Sequence, residues 1–186
     1  MRRALVVTCL SLLPAVLAAQ GRSYHVSGAD VAIYNIVGEI TVRAGTGPDV
    51  VVEVNPLGRD AGRLTVATGE IEGFQTLRVI YPDDRIVYDR LEDDGSTNLT
   101  IRDDGTWGSF DGRRERGRGD RRITVRGSGS GLEAAADLRI SIPSGKRVGV
   151  YLGVGRLDAA NVSGRIRLDG ASADIHAEQL KGEITV

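Results

Sequence analysis

The chain has 186 residues, a formal net charge of −1, a single cysteine and eight aromatic residues. The near balance of charge disfavours a dedicated nucleic-acid binder, and one cysteine excludes an intramolecular disulfide framework. The length suffices for one domain, whose core must be built mainly from aliphatic side chains because aromatic ones are scarce.

Residues 1–20 have the pattern of a secretory signal peptide. Arg2 and Arg3 precede an apolar stretch, residues 4–17, and small residues follow it. The stretch is shorter than the about 20 residues that span a bilayer, which favours a cleaved leader; a buried N-terminal helix is the alternative. Because Cys9 lies in this leader, the exported chain would lack cysteine and carry a net charge of about −3. Its expected location is the periplasm, the outer surface or the medium.

Short segments that alternate apolar and polar residues follow the leader, separated by glycines and Asp-Gly pairs. Such alternation is typical of strands that present one face to a core. No helical periodicity is found beyond the leader, so the predicted fold class is all-β. The strands predicted before the regular repeat are residues 31–36, 39–43, 50–54, 63–66, 76–81, 99–102, 122–126 and 137–142.

The first of these segments has nearly the same pattern as the last segment of the chain. Residues 29–42, ADVAIYNIVGEITV, match residues 173–186, ADIHAEQLKGEITV, at Ala, Asp, Gly, Glu, Ile, Thr and Val. The match gives Val31 the inward position of Ile175, and the later apolar residues follow in register. Both ends of the chain therefore belong to one architecture.

Residues 89–131 depart from this pattern and are rich in glycine, aspartate and arginine. The two predicted strands inside the segment, residues 99–102 and 122–126, indicate a long hairpin. Its tip, residues 103–120, is expected to be mobile. We therefore predict a single domain over residues 21–186 that carries this segment as an insertion.

A nine-residue repeat then runs to the last residue, as KRVGVYLGV, GRLDAANVS, GRIRLDGAS, ADIHAEQLK and GEITV. Repetition at a fixed short period is typical of a solenoid, whose units bury their apolar faces only by stacking on one another. We predict a right-handed β-solenoid, single-stranded and β-helix-like, made of strand-turn units of about nine residues. The third position of each unit is aliphatic: Val148, Leu157, Ile166, Ile175 and Ile184.

Two repeat units would form one coil, and residues one coil apart would then be neighbours in adjacent strands. A coil of three units is the alternative, and it would place Asp158 beside Thr185. Charge complementarity favours the shorter coil. The pairs that it brings together are Arg156 with Asp174, Asp158 with His176, and Arg165 with Glu183.

Val186 lies at the fifth position of its unit, so the last strand is complete but no polar cap follows it. Solenoid ends need caps because an open strand edge presents unpaired backbone N–H and C=O groups. The pattern favours either a C-terminally incomplete chain or an end that a partner caps.

Candidate contact residues concentrate at the tip of the insertion. Its two aromatic residues either anchor a partner or a glycan from an exposed tip, or fold back over the sheet. The arginine run that follows suits acidic polymers, such as lipopolysaccharide phosphates or anionic polysaccharide. The residues of this possible ligand-contact loop are Trp107, Phe110, Arg113, Arg114, Arg116 and Arg118.

No catalytic, cofactor or metal site is predicted. Asp158 and His176 resemble part of a catalytic set, but the predicted outward neighbours lack a nucleophile, and an exposed pair is the alternative. Aspartates in the insertion have suitable oxygens for calcium, but their spacing does not fit an EF-hand loop and Asp-Gly pairs are ordinary turn chemistry. These aspartates are Asp93, Asp94, Asp103, Asp104 and Asp111.

The leader, the opening ADVAIYNIVGEITV, the mid-chain ADLRISIPSG and the closing GRLDAANVSGRIRLDGASADIHAEQLKGEITV together resemble a bacterial β-strand-repeat family of adhesins of unknown function. The resemblance covers most of the exported chain, and its motifs are repeat consensus and not site residues. It implies a right-handed β-solenoid on an exported or envelope-associated protein, with no catalytic residues to carry over.

The sequence therefore predicts a non-enzymatic, adhesin-like binding module of the cell envelope or surface. The alternative is a structural or assembly protein that associates through the ends of its solenoid. Expected partners are envelope polysaccharide, another surface protein or a further copy of the chain. Neither nucleic acid, a cofactor nor a transmembrane span is expected.

Overall fold

A computed structural model describes residues 21–91, 95–108 and 120–186, and these residues form an all-β structure. The predicted signal peptide lies outside the described residues. Within them, the structure contains one 3-10 turn, Ala61–Arg63, and no α-helix. The strands are β1 (Arg22–Val26), β2 (Asp30–Ala44), β3 (Val50–Leu57), β4 (Thr65–Ile71), β5 (Phe74–Ile80), β6 (Arg85–Val87), β7 (Ser96–Arg102), β8 (Asp120–Arg126), β9 (Leu132–Glu133), β10 (Ala135–Ile142), β11 (Lys146–Ala160), β12 (Ser163–Glu178) and β13 (Lys181–Thr185).

Nine strands form one open, mixed sheet with the order β1-β3-β10-β2-β11-β12-β13, and β5 and β4 branch from β2. The central pairs are parallel, whereas β1–β3, β3–β10 and β4–β5 are antiparallel. The first half of β2 pairs with β5 and its second half with β10, so the chain passes between two branches of the sheet within one strand. The apolar faces of both branches contribute to one hydrophobic core.

The three C-terminal strands stack at a constant offset of two repeat units. Register pairs between β11 and β12 run from Lys146 with Gly164 to Ala160 with Glu178, and β12 pairs with β13 at the same offset. The predicted offset of two repeat units between neighbouring strands is confirmed, and the alternative offset of three units is not found in these pairs. All three predicted neighbour pairs are register partners: Arg156 with Asp174, Asp158 with His176, and Arg165 with Glu183.

Strand β2 lies in the same parallel stack. Val31 pairs with Val148, which pairs with Ile166, and Ile166 pairs with Ile184. The predicted inward position of Val31 is confirmed, since its side chain is fully buried. Because the sequence pattern repeats in every unit, the match with Ile175 does not say which of the two units of a strand pair Val31 joins.

Glycines with positive φ angles lie within β2 and β11, and we call these positions the bends. Gly38 in β2 and Gly155 in β11 have φ angles of 140° and 131°, and they are register partners. A Cβ atom on Gly155 would collide with the carbonyl oxygen of Gly38. These two strands can therefore approach this closely only without a side chain at Gly155, whereas the next strand, β12, has Ala173 at this position.

A buried hydrogen-bond group fixes the bend of β2 to the rest of the core. The side-chain amide of Asn35 donates to the carbonyl oxygens of Val37 at 3.1 Å and Ala136 at 2.7 Å. The hydroxyl of Tyr81 lies 3.0 Å from Oδ1 of Asn35 and 2.9 Å from the oxygen of Val37, and both oxygens can accept its proton. Burial raises the pKa of Tyr81 far above its ordinary value, so the hydroxyl keeps its proton.

The insertion forms a second sheet of four strands with the order β7-β8-β6-β9. The predicted hairpin is confirmed, since β7 and β8 pair antiparallel with Leu99 opposite Ile123. The sheet extends past the predicted bounds of residues 89–131, because β6 and β9 flank them and pair with each other. Leu99 packs against Gly153 of β11, and Thr97 Oγ1 lies 3.1 Å from Ser172 Oγ of β12. The insertion thus lies against the nine-stranded sheet, which we call the main sheet, close to the bends of its long strands.

We expect Gly155→Ala to lower the free energy of unfolding by about 3 kcal/mol, since a side chain there combines an unfavourable φ with a backbone collision. Gly62→Ala is the matched control. A Cβ atom on Gly62 meets nothing within 4 Å, and the change should stay within about 1 kcal/mol. Urea denaturation followed by circular dichroism measures both, and equal losses would contradict the stacked bends.

Candidate functional site

The structure describes only the beginning of the predicted ligand-contact loop. Trp107 is described, and the remaining predicted residues fall in a range that lies outside the described residues. A contact role for these side chains stays a prediction. They are Phe110, Arg113, Arg114, Arg116 and Arg118.

Trp107 is 8% exposed and packs on the outward face of the main sheet. Its ring centroid lies 5.4 Å from that of Tyr34 and 6.4 Å from that of Tyr151, with interplanar angles of 69° and 77°. Tyr34 and Tyr151 are register partners on β2 and β11, and their rings stack at 4.5 Å. Of the two predicted alternatives, Trp107 therefore adopts the second and folds back over the sheet. It does not form half of an exposed aromatic pair.

Polar contacts hold the described part of the tip in this position. Oδ1 of Asp104 accepts hydrogen bonds from the backbone N–H and the hydroxyl of Thr106, at 2.9 and 2.7 Å. Arg78 donates to the carbonyl oxygen of Asp104 at 2.9 Å, and Arg102 donates to that of Gly108 at 3.0 Å. Asp104 thus performs ordinary turn chemistry. The first residues of the predicted mobile tip, 103–108, are fastened to the main sheet.

We call a series of register partners across neighbouring strands a column. The column that contains Asp158 and His176 also contains the hydroxyl group of a threonine, which the sequence analysis had not placed there. Thr41 of β2 is the register partner of Asp158 on the side opposite His176. The carboxylate of Asp158 therefore lies between the hydroxyl of Thr41 and the imidazole of His176. The strands that carry Thr41 and His176 are two strand spacings apart, about 10 Å. An imidazole activates a hydroxyl only within hydrogen-bond reach, so this column lacks the geometry of a nucleophile with its base. Among the described residues, no three His, Cys, Asp or Glu side chains are grouped to hold a metal ion.

Two of the grooves on the surface of the described residues have charged side chains that form ion pairs. One, of about 530 Å³, crosses the outward faces of β1, β3, β10 and β2. At its side, Arg90 lies 2.9 Å from Glu39 and 3.4 Å from Asp137. The other, of about 520 Å³, lies between the end of β3 and the segment after β6, where Arg59 pairs with Glu133 at 2.8 Å. The first groove is also lined by polar side chains from four strands, Ser23, Thr41, Glu53, Asn55 and Arg139.

The most unusual surface is the end of the parallel stack. Residues 173–178 of β12 pair only with β11, and β13 pairs only with β12. We call this edge, residues 173–178 and 181–185, the open end. Its backbone N–H and C=O groups have no strand beyond them among the described residues, as in an uncapped edge.

The aliphatic side chains of the core are more exposed at the open end than in the preceding strands. Leu157 and Ile166 are 0% and 1% exposed, whereas Ile175 and Ile184, which follow them in the same columns, are only partly buried. Val186 is 71% exposed and is the one large apolar side chain of the described residues that is fully open to solvent. The antiparallel strands β1 and β4 are likewise edge strands, because each pairs with only one strand. At the open end, Ile175 and Ile184 are less covered than the core residues that precede them.

Among the described residues, no helix has the length and apolar character needed to cross a bilayer.

Since Trp107 is the single tryptophan of the chain, its fluorescence reports on the tip directly. We expect a blue-shifted native emission that acrylamide quenches poorly, and a shift to the red on unfolding. Trp107→Ala should cost about 3 kcal/mol of unfolding free energy, and Trp107→Phe much less, because the indole Nε1 has no hydrogen-bond partner to lose among the described residues. A native emission at the wavelength of free tryptophan would contradict the buried position.

No protein-family model matches the chain, and no curated protein or solved structure matches it either. The resemblance to the bacterial adhesin-like family thus rests on the repeat motifs alone. It remains a prediction about the fold and the location of the protein.

Proposed function

We propose that the chain is a β-solenoid binding module of an exported, envelope-associated protein, and that the open end takes up a further β-strand, supplied by a partner or by chain that continues past Val186. In this proposal the module is adhesin-like and non-enzymatic. The observation that carries it is the loss of burial between the column pairs Leu157 and Ile175, and Ile166 and Ile184.

The solenoid part of the proposal is supported by the constant offset of two repeat units between β11, β12 and β13 and by the parallel pairing of β2 with β11. Parallel strands linked by short connections wind almost always in the right-handed sense. Each coil of such a stack contributes an interface to the next one, and a terminal coil lacks half of that interface.

Strand addition is favoured over contact by the loop for a physical reason. The aromatic residue that could have anchored a ligand from the tip, Trp107, is already packed against Tyr34 and Tyr151. The open end, in contrast, offers both unpaired backbone groups and incompletely covered aliphatic side chains. Main-chain hydrogen bonds supply affinity when a strand adds to a sheet edge, and side-chain pockets supply specificity.

The arginine run of the insertion remains the second candidate for contact with acidic envelope polysaccharide. The observation that favours it is that residues 103–108, which precede the run in sequence, contact β2, β5 and β11. Another surface protein or a further copy of the chain are the alternatives at the open end.

We expect the chain to gain stability when one more coil is supplied in register. A variant with the sequence of residues 151–168 appended after Val186 should unfold at a higher urea concentration, with a gain of about 3 kcal/mol from covering Ile175, Ile184 and Val186. A scrambled appendage of the same composition is the control. Equal stability of the two extended chains would contradict strand addition at this end.

A further inference from the structure

We infer that the groove across β1, β3, β10 and β2 is a binding site for an extended, uncharged oligosaccharide. The groove lies away from the open end, so this inference goes beyond the proposed function and does not depend on it. Its basis is two facing rows of polar side chains and the hydrogen-bonding groups that these side chains leave unused.

Each wall of the groove is a row of outward residues from neighbouring strands. The first wall begins with Ser23 and Glu53, which are register partners on β1 and β3. Arg139 of β10 follows as the register partner of Glu53, and Thr41 of β2 follows as that of Arg139. The first wall therefore presents a hydroxyl, a carboxylate, a guanidinium group and a second hydroxyl, in that order.

The second wall lies two residues away along the same strands. Asn55 of β3 and Asp137 of β10 are register partners, and the backbone N–H of Glu39 in β2 donates to Oδ1 of Asp137 at 2.9 Å. Arg90 pairs with Glu39 and Asp137 from the side of the groove. Leu138 lies between the walls, and its side chain is buried in the core. The second wall is thus fixed in place by the fold.

The dimensions of the groove fit a linear ligand that crosses the strands. Four strands set three spacings of about 4.8 Å, so each wall is about 14 Å long, and residues two apart on a strand hold the walls about 7 Å apart. At β11, Arg156 and Asp158 continue the two rows, and their side chains lie 4.0 Å apart, so this pair bridges the rows. The strand spacing is close to the length of one sugar unit in an extended chain, so about three units fit between β1 and this pair.

The fold leaves most polar groups of the walls unused. Arg139 can only donate hydrogen bonds and the carboxylate of Glu53 can only accept them, whereas the hydroxyls and the amide can do both. The hydroxyl groups of a sugar donate and accept, so they match every one of these positions. The wall residues whose side chains form no hydrogen bond or ion pair within the described part of the chain are Ser23, Thr41, Glu53, Asn55 and Arg139.

The balance of charge favours an uncharged ligand. Glu39 and Asp137 already pair with Arg90. Glu53 and Arg139 remain, and they are register partners of opposite sign. An acidic polymer would be repelled by the first and a basic polymer by the second, so neither kind of charge is selected.

Binding is measured by titrating the isotope-labelled full chain with cellohexaose or with the N-acetylglucosamine hexamer, both uncharged and extended, while backbone amide signals are followed by NMR. We expect one or both sugars to shift the amide signals of groove residues such as Glu53 and Arg139. The variant Asn55→Ala with Arg139→Ala should bind about tenfold more weakly, because it removes a neutral and a charged hydrogen-bonding group. Arg85→Ala removes an exposed arginine of β6 outside the groove, and this matched control should bind like the unaltered chain.

Cellohexaose whose primary alcohols are oxidised to carboxylates tests the charge requirement, and it should bind more weakly than cellohexaose itself. Tighter binding of the oxidised hexamer would overturn the inference in favour of an acidic ligand. Absence of shifts with both uncharged sugars, or shifts confined to residues away from the groove, would also overturn it. Equal affinities of the double variant and of Arg85→Ala would show that the groove side chains do not contact the sugar.

Discussion

The structure depends on one constraint: β2, β11 and β12 must pair in parallel along their whole bent length. Parallel neighbours satisfy each other's backbone N–H and C=O groups. In this stack they do so at a constant offset of two repeat units. Beyond residues 173–178 and 181–185 the structure describes no further strand.

The bends are the positions at which the constraint is most demanding. Gly38 and Gly155 allow the backbones to approach, and the amide of Asn35 satisfies carbonyl oxygens that the bend removes from the ladder. Tyr81 then joins this group to the chain that leaves β5. The insertion covers the same region from outside, through Leu99 on Gly153 and through Trp107 on the two stacked tyrosines. Because the insertion covers the bends and no described strand covers the open end, we expect a binding partner to contact the open end.

The sequence alone predicts the parts that repeat. The alternation of residues such as Val148 and Val150, the offset of two repeat units and the neighbour pairs all follow from the period. What repetition cannot supply is the pairing of Val31 with Val148, the antiparallel strands at the margins and the burial of Trp107. These depend on contacts between distant parts of the chain, such as the bond from Asn35 to Ala136 across 101 residues. No local pattern encodes them, and Asn35 in particular looks like an ordinary polar residue of a strand.

The most direct test of the stacked coil uses engineered disulfides in a Cys9→Ser background. Parallel neighbours have Cα atoms about 4.8 Å apart, within the range that a disulfide bridges. The double variant Asp158→Cys with His176→Cys should therefore oxidise readily to an intramolecular disulfide, since the two positions are register partners. The variant Asp158→Cys with Thr185→Cys, which corresponds to a coil of three repeat units, should remain reduced under the same conditions. The opposite result, with the second pair closing and the first pair staying open, would contradict the account.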